Sequence, residues 1–147
     1  MIYQNILAPI DGSSVSMAAV KHAITLAKTF QCQLSIISIV AVDPFKGIDF
    51  YSALPNLKDY YLAAKAEAEK LLDEVNQLCI EQNVKADTRV VMGEIPSVGI
   101  LKIAAEVKAD LIVMGSHGHK GLQKYILGSV AQEVLTNTET QVMIVKQ

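Results

Sequence analysis

The feature that most constrains this chain is an alternation: short apolar runs rich in β-branched residues take turns with longer segments of helical period, in the pattern βαβαβαβαβ. Leu111-Ile112-Val113-Met114 is apolar at every position. Such a run suits a central parallel strand covered by helices on both faces, and not a half-exposed antiparallel one. Strands joined through helices run parallel in one sheet with right-handed crossovers. The expectation is therefore an α/β fold, and in such sheets ligands bind where the carboxyl ends of the strands meet the loops.

The first strand spans Ile2 to Ile10 and ends at Pro9-Ile10-Asp11-Gly12. Ser13 to Phe30 then places Val15, Ala19, Ala23, Leu26, Ala27 and Phe30 on one helical face, with Ser13 or Ser14 as cap. Leu34 to Val40 is the second strand, and the Pro- and Gly-containing stretch from Asp43 to about Asn56 reads as loop. A long amphipathic helix follows on the stripe Leu57, Tyr61, Ala64, Ala68, Leu71, Val75 and Leu78. Tyr60 and Tyr61 are expected in core or rim packing. Thr88 to Met92 is a strand closed by Gly93, and a helix from about Ile95 to Lys108 carries Pro96 in its first turn. A short helix begins near Gly128-Ser129, and Val142 to Val145 is the last strand.

The chain has 147 residues and a formal net charge of -2, which is enough sequence for one domain with a core that needs no disulfide or structural metal. The mild negative charge, with scattered Lys and Arg, argues against a surface built to cover nucleic acid or anionic lipid. Apolar runs are too short for a membrane span, and the start of the chain lacks the pattern of a signal peptide. Cys32 and Cys79 stand in no metal-binding or CxxC spacing and read as buried spectator thiols of a reducing cytoplasm.

Between Asp110 and Glu133 there is no acidic residue, yet the span holds Gly115, Ser116, His117, Gly118, His119, Lys120, Gly121, Lys124, Gly128 and Ser129. In a chain of net negative charge this reads as a local anion site. Glycines admit close approach and positive φ, their N–H groups can form a donor nest, and a helix starting at Gly128-Ser129 adds orphan donors. Ser129 can cap that helix or donate its hydroxyl to a phosphate. Micromolar affinity needs about 8 kcal/mol, and a helix terminus supplies about 0.3–2. Binding must be shared with the lysines and with an apolar slot for a base, which Ile39, Val40 and Met114 can wall. Neither GxxxxGK[ST] nor GxGxxG occurs, nor does the GxSxG of a nucleophile elbow. His117-x-His119 as a metal pair lacks further ligands nearby.

Gly115-x2-Gly118-x9-Gly128-Ser129 matches the G-x2-G-x9-G-[ST] signature of the universal stress protein family, and the whole chain resembles that family. Ile6-Leu7-Ala8-Pro9-Ile10-Asp11-Gly12-Ser13 is similar to its opening strand and turn, and Asp110 to Gly118 to its fourth strand and loop. The resemblance implies one α/β domain over residues 1–147, a three-layer α/β/α sandwich with a five-stranded parallel sheet, similar to the adenine nucleotide alpha hydrolases. It also implies a cytoplasmic homodimer through the final strand and, in the branch with the complete signature, ATP binding. Carried over, Pro9, Asp11 and Ile39 line the adenosine side, Met114 and Gly115 lie beneath the ribose, and Gly118, Gly128, Ser129 and Val130 meet the phosphates. Two positions depart from the pattern: His119 stands where many relatives have Arg, and Thr140-Gln141-Val142 replaces Cys-Pro-Val before the last strand.

Phosphoryl transfer needs a positioned nucleophile and metal-holding carboxylates. Apart from Asp11 no carboxylate joins the glycine loop, so the expectation is ATP binding, with or without Mg²⁺, and little or no turnover, coupled to an unknown regulatory partner. A slow ATPase or phosphotransferase, and a nucleotide-free interaction dimer, are the alternatives. Asp11 can instead serve only as an Asx-turn at the strand end.

Overall fold

The computed structural model describes residues 2–41, 56–117 and 127–147. Five strands form one parallel sheet: β1 (Asn5–Pro9), β2 (Gln33–Ala41), β3 (Ala86–Glu94), β4 (Leu111–Gly115) and β5 (Gln141–Val145). Their spatial order is β3-β2-β1-β4-β5. The chain thus winds outward from β1 to one edge, returns to the middle at β4, and winds to the other edge. Helices α1 (Ser14–Phe30) and α2 (Asn56–Glu81) cover one face, and α3 (Pro96–Glu106) and α4 (Ser129–Asn137) the other. This is the expected three-layer α/β/α sandwich.

Side-chain alternation along the strands splits the core in two. Ile6, Ala8, Leu34, Ile36, Leu111 and Val113 pack against Ala19, Val20 and Ala23 of α1 and Leu72, Val75 and Cys79 of α2. Leu7, Ile37, Ile112 and Met114 pack against Ile100, Ile103 and Ala104 of α3 and Ala131 and Val134 of α4. Leu111 to Met114 is buried throughout, as its unbroken apolar run requires of a strand sandwiched between layers.

Helix ends follow local chemistry. Ser13 caps α1, its hydroxyl accepting from the Ser16 N–H at 3.2 Å, and Gln31 ends the helix in the left-handed region at φ 51°. Pro96 opens α3 just after an uncapped Ile95, where its missing N–H would have no helical partner. The buried line of α2 runs Ala68, Leu72, Val75 and Cys79, one position off the expected stripe at two places, with Leu71 and Leu78 half-buried beside it. Tyr60, expected in core or rim packing, is 66% exposed and meets Tyr61 edge-on at a 5.8 Å centroid distance. The expected loop from Asp43 lies in residues 42–55, outside the described residues.

Burial pushes the thiols of Cys32 and Cys79 up, with the nearby negative charge of Asp110 adding to the effect at Cys32. Fewer thiolates form at mildly alkaline pH, and Cys79 has no exposed surface. In a thiol titration with a disulfide reagent at pH 8, Cys79 is expected to stay unmodified in native buffer and to react fully in denaturant. A second expectation concerns the core: Ile36→Ala, at a position with no solvent exposure, costs about 2–5 kcal/mol of unfolding free energy in urea titration.

Candidate functional site

The ladder between β1 and β4 pairs Ile6 with Leu111 and Leu7 with Ile112. Beyond that point Pro9 has no N–H to offer, and the Ile10 N–H donates to the Ile37 carbonyl of β2 at 2.8 Å. β1 thus stays with β2 past its own end. On the α3/α4 face the space between the two central strands is a cavity of about 350 Å³, within the usual range for ligand pockets.

Its floor and walls are apolar. Pro9, Ile39 and Met114 come from the ends of three neighbouring strands, and Pro96, Ile100, Val130 and Ala131 from the first turns of α3 and α4. Gly115 lies against the start of α1: a Cβ there would sit 3.1 Å from Val15 Cγ1 and 3.3 Å from the Ser16 nitrogen. The bare backbone of Gly115 lets α1 begin that close to the cavity. Ser16, also at the cavity, accepts from the Asp11 N–H at 3.2 Å and donates to the Ser13 carbonyl at 3.0 Å.

Gly128 is the N-cap of α4, with φ -64° and ψ 157°. Positive φ, expected of the signature glycines, is therefore not what this position requires. Close approach is: a Cβ on Gly128 would lie 3.0 Å from His117 Cα and 3.2 Å from the Ser116 carbonyl oxygen, to which the Gly128 N–H donates at 2.7 Å. Since Gly128 occupies the cap, Ser129 is the first helical residue, and the alternative in which Ser129 caps the helix does not hold. No side chain caps α4, and the first intrahelical bond runs from the Gln132 N–H to the Gly128 carbonyl at 3.0 Å. The amides of Ser129, Val130 and Ala131 thus lie in the turn that has no helical acceptor, beside the cavity. None of α1, α3 and α4 has an acidic residue in its first turn to offset its positive end.

Asp11 lines the cavity and also makes the Asx-turn: its Oδ1 accepts from the Ser13 N–H at 2.9 Å and from the Ser13 hydroxyl at 2.5 Å. Of the residues expected to form a site, Pro9, Asp11, Ile39, Met114, Gly115, Gly128, Ser129 and Val130 meet at this one cavity. Gly118, His119, Lys120, Gly121 and Lys124 fall outside the described residues. Val40, expected as a wall, is buried but absent from the lining, because it follows Ile39 and so points to the opposite face. Met92, Gly93 and Glu94, at the end of the edge strand β3, do not line the cavity.

Sequence reasoning missed Pro96, Ile100, Ala131 and Ser16, whereas Ile10 and His117 stand in the strand-end and glycine-loop segments it singled out. For Pro96 and Ile100 a signal existed: a right-handed return from β3 to β4 must carry α3 across the strand ends. Among the described residues no three His, Cys, Asp or Glu side chains gather as a metal site.

A doubly wound sheet with a largely apolar cavity at its central reversal, edged by an uncapped helix start, defines a small α/β protein with a candidate ligand pocket. The model of the universal stress protein family matches residues 2–146, and the chain belongs to that family. A universal stress protein of Methanocaldococcus jannaschii is 38% identical over 146 residues, covering 99% of this chain and 84% of the relative. Among solved structures, the UspA protein of Lactobacillus plantarum superposes with a TM-score of 0.86 at 24% identity, over 99% of each chain, a likeness of fold. A universal stress protein in complex with cAMP superposes with a TM-score of 0.71 at 28% identity, over 99% of this chain and 98% of the other.

The glycine geometry is testable without ligand. Gly128→Ala presses a methyl group against the backbone of Ser116 and His117 and is expected to cost roughly 1–3 kcal/mol in urea unfolding. The fold then does not pass unchanged through substitution here, as a purely ligand-facing glycine would allow.

Proposed function

We propose that this chain is an ATP-binding universal stress protein of the branch that carries the complete glycine signature. In this reading it is a homodimer joined through β5, in which bound nucleotide alters association with a regulatory partner and turnover is slight. The observation that carries the reading is the junction of an apolar slot with the uncapped start of α4 at one cavity. A structural relative in complex with cAMP supports a nucleotide as the ligand. The purine lies against Ile39, Ile100 and Met114. The ribose lies over Gly115, and Asp11 hydrogen-bonds it. The phosphates meet Gly118, Gly128, Ser129 and Val130.

The chemistry of these groups favours holding over cleaving. Amides at a helix start stabilise phosphate oxygens in the ground state as well as in any transition state, and uniform binding does not accelerate a step. Among the described residues Asp11 is the only carboxylate that lines the cavity, and its Oδ1 already accepts two hydrogen bonds. Mg²⁺, where present, would ride on the phosphate tail and neutralise its charge.

Calorimetric titration with ATP, ADP and AMP, with and without Mg²⁺, is the direct test. Micromolar binding of an adenine nucleotide is expected, with steady-state hydrolysis well below about 1 per second. Gly128→Val should abolish the binding heat. Absence of heat with every adenine nucleotide overturns the reading, and turnover far above that rate, lost in Asp11→Asn, favours the enzyme alternative.

A further inference from the structure

Gly99 touches nothing in the cavity, yet it governs the cavity's shape. It is buried inside α3, where glycine is a poorer helix former than alanine and so calls for a packing reason. That reason is one contact. A Cβ at residue 99 would lie 2.9 Å from Ile39 Cδ1, closer than real Cβ atoms come, 3.2 Å from Glu94 Cβ and 3.5 Å from Ile39 Cγ1.

The two neighbours are unequal in their freedom to yield. Glu94 Cβ is fixed to the backbone at the end of β3, and the Glu94 carboxylate is bonded to Lys102 of the same helix at 3.0 Å. The Ile39 δ-methyl is the far end of a rotatable side chain. Leu7, Ile37, Ile100, Ile103 and Met114 form the packed cluster that Ile39 leans against, and on another side Ile39 lines the cavity. In a close-packed interior a displaced methyl goes where there is space.

We infer that Gly99 is a specificity-determining position: by leaving room for the Ile39 δ-methyl beside α3, it sets the width of the slot that receives the base. A side chain at 99 turns that methyl into the cavity. The consequence for binding rests on the nucleotide reading above, whereas the steric part does not. A narrowed slot excludes a two-ring purine more than a one-ring pyrimidine, so the variant changes selectivity as well as affinity.

The test uses Gly99→Ala, with thermal unfolding to confirm that the better helix former keeps the fold. In ligand-free protein labelled at isoleucine δ-methyls, the Ile39 carbon shift, which reports the χ2 rotamer, is expected to move. An unmoved shift overturns the inference whatever the ligand proves to be. In titrations with ATP and CTP, Gly99→Ala is expected to weaken ATP about tenfold and CTP by less than about threefold. Adding Ile39→Val, which removes the colliding carbon, should return the ATP-to-CTP ratio to the wild-type value. An unchanged ratio in Gly99→Ala, or no recovery in the double variant, also overturns it. Should wild-type protein bind neither nucleotide while the Ile39 shift moves, the nucleotide reading fails and the Gly99 assignment stands for a different ligand.

Discussion

Everything at the candidate site depends on the parting of the two central strands. β1 and β4 register at two residue pairs, against five between β1 and β2. The missing donor of Pro9 and the bond from Ile10 to Ile37 hold the end of β1 toward β2. The reversal of winding direction at this point places α1 and α3 on opposite faces, so no crossover helix fills the space between the strand ends.

The second constraint is electrostatic and modest in size. One helix start offers about 0.3–2 kcal/mol toward an anion, far short of the affinity a nucleotide-binding protein needs. What distinguishes this cavity is that α1, α3 and α4 all begin around it without acidic first turns, and that most of its remaining lining, Asp11 and His117 apart, is apolar. For the proposed nucleotide, area removed from water by a planar base would add to the terminal amides, two weak terms acting on one ligand. Gly115 and Gly128 contribute by closeness of backbone packing, at Val15 and at His117 respectively, and not by unusual dihedral angles.

Much of this arrangement was legible in the chain before any coordinates. The unbroken apolar run from Leu111 to Met114 could only be a doubly covered strand. Ile39 and Met114 could be placed at strand ends because their runs stop there. Gly128-Ser129 announced a helix start, although which of the two would cap it depended on how closely the backbone passes His117. Tertiary crossing was not legible: Ile100 reaches the cavity because α3 returns over the sheet, and Gly99 matters only because Ile39 lies opposite. Tyr60 misled for a related reason, since its neighbours along α2 suggested a buried stripe while the packed line runs through Leu72 and Cys79. Periodicity locates a face to within a residue, and packing decides the rest.

The Gln147 side-chain carbonyl accepts from the Ser14 hydroxyl at 2.7 Å, at the first turn of α1, and one turn away the Ser116 N–H donates to the Val145 carbonyl at 2.9 Å. The tail after β5 is thereby stitched to the same rim as the ligand cavity, whereas Gln4 and Asn5 are tied to Asp110 at the opposite end of the sheet. A segment joined behind Gln147 therefore leaves from the cavity's end of the sheet, and one placed ahead of Ile2 from the opposite end.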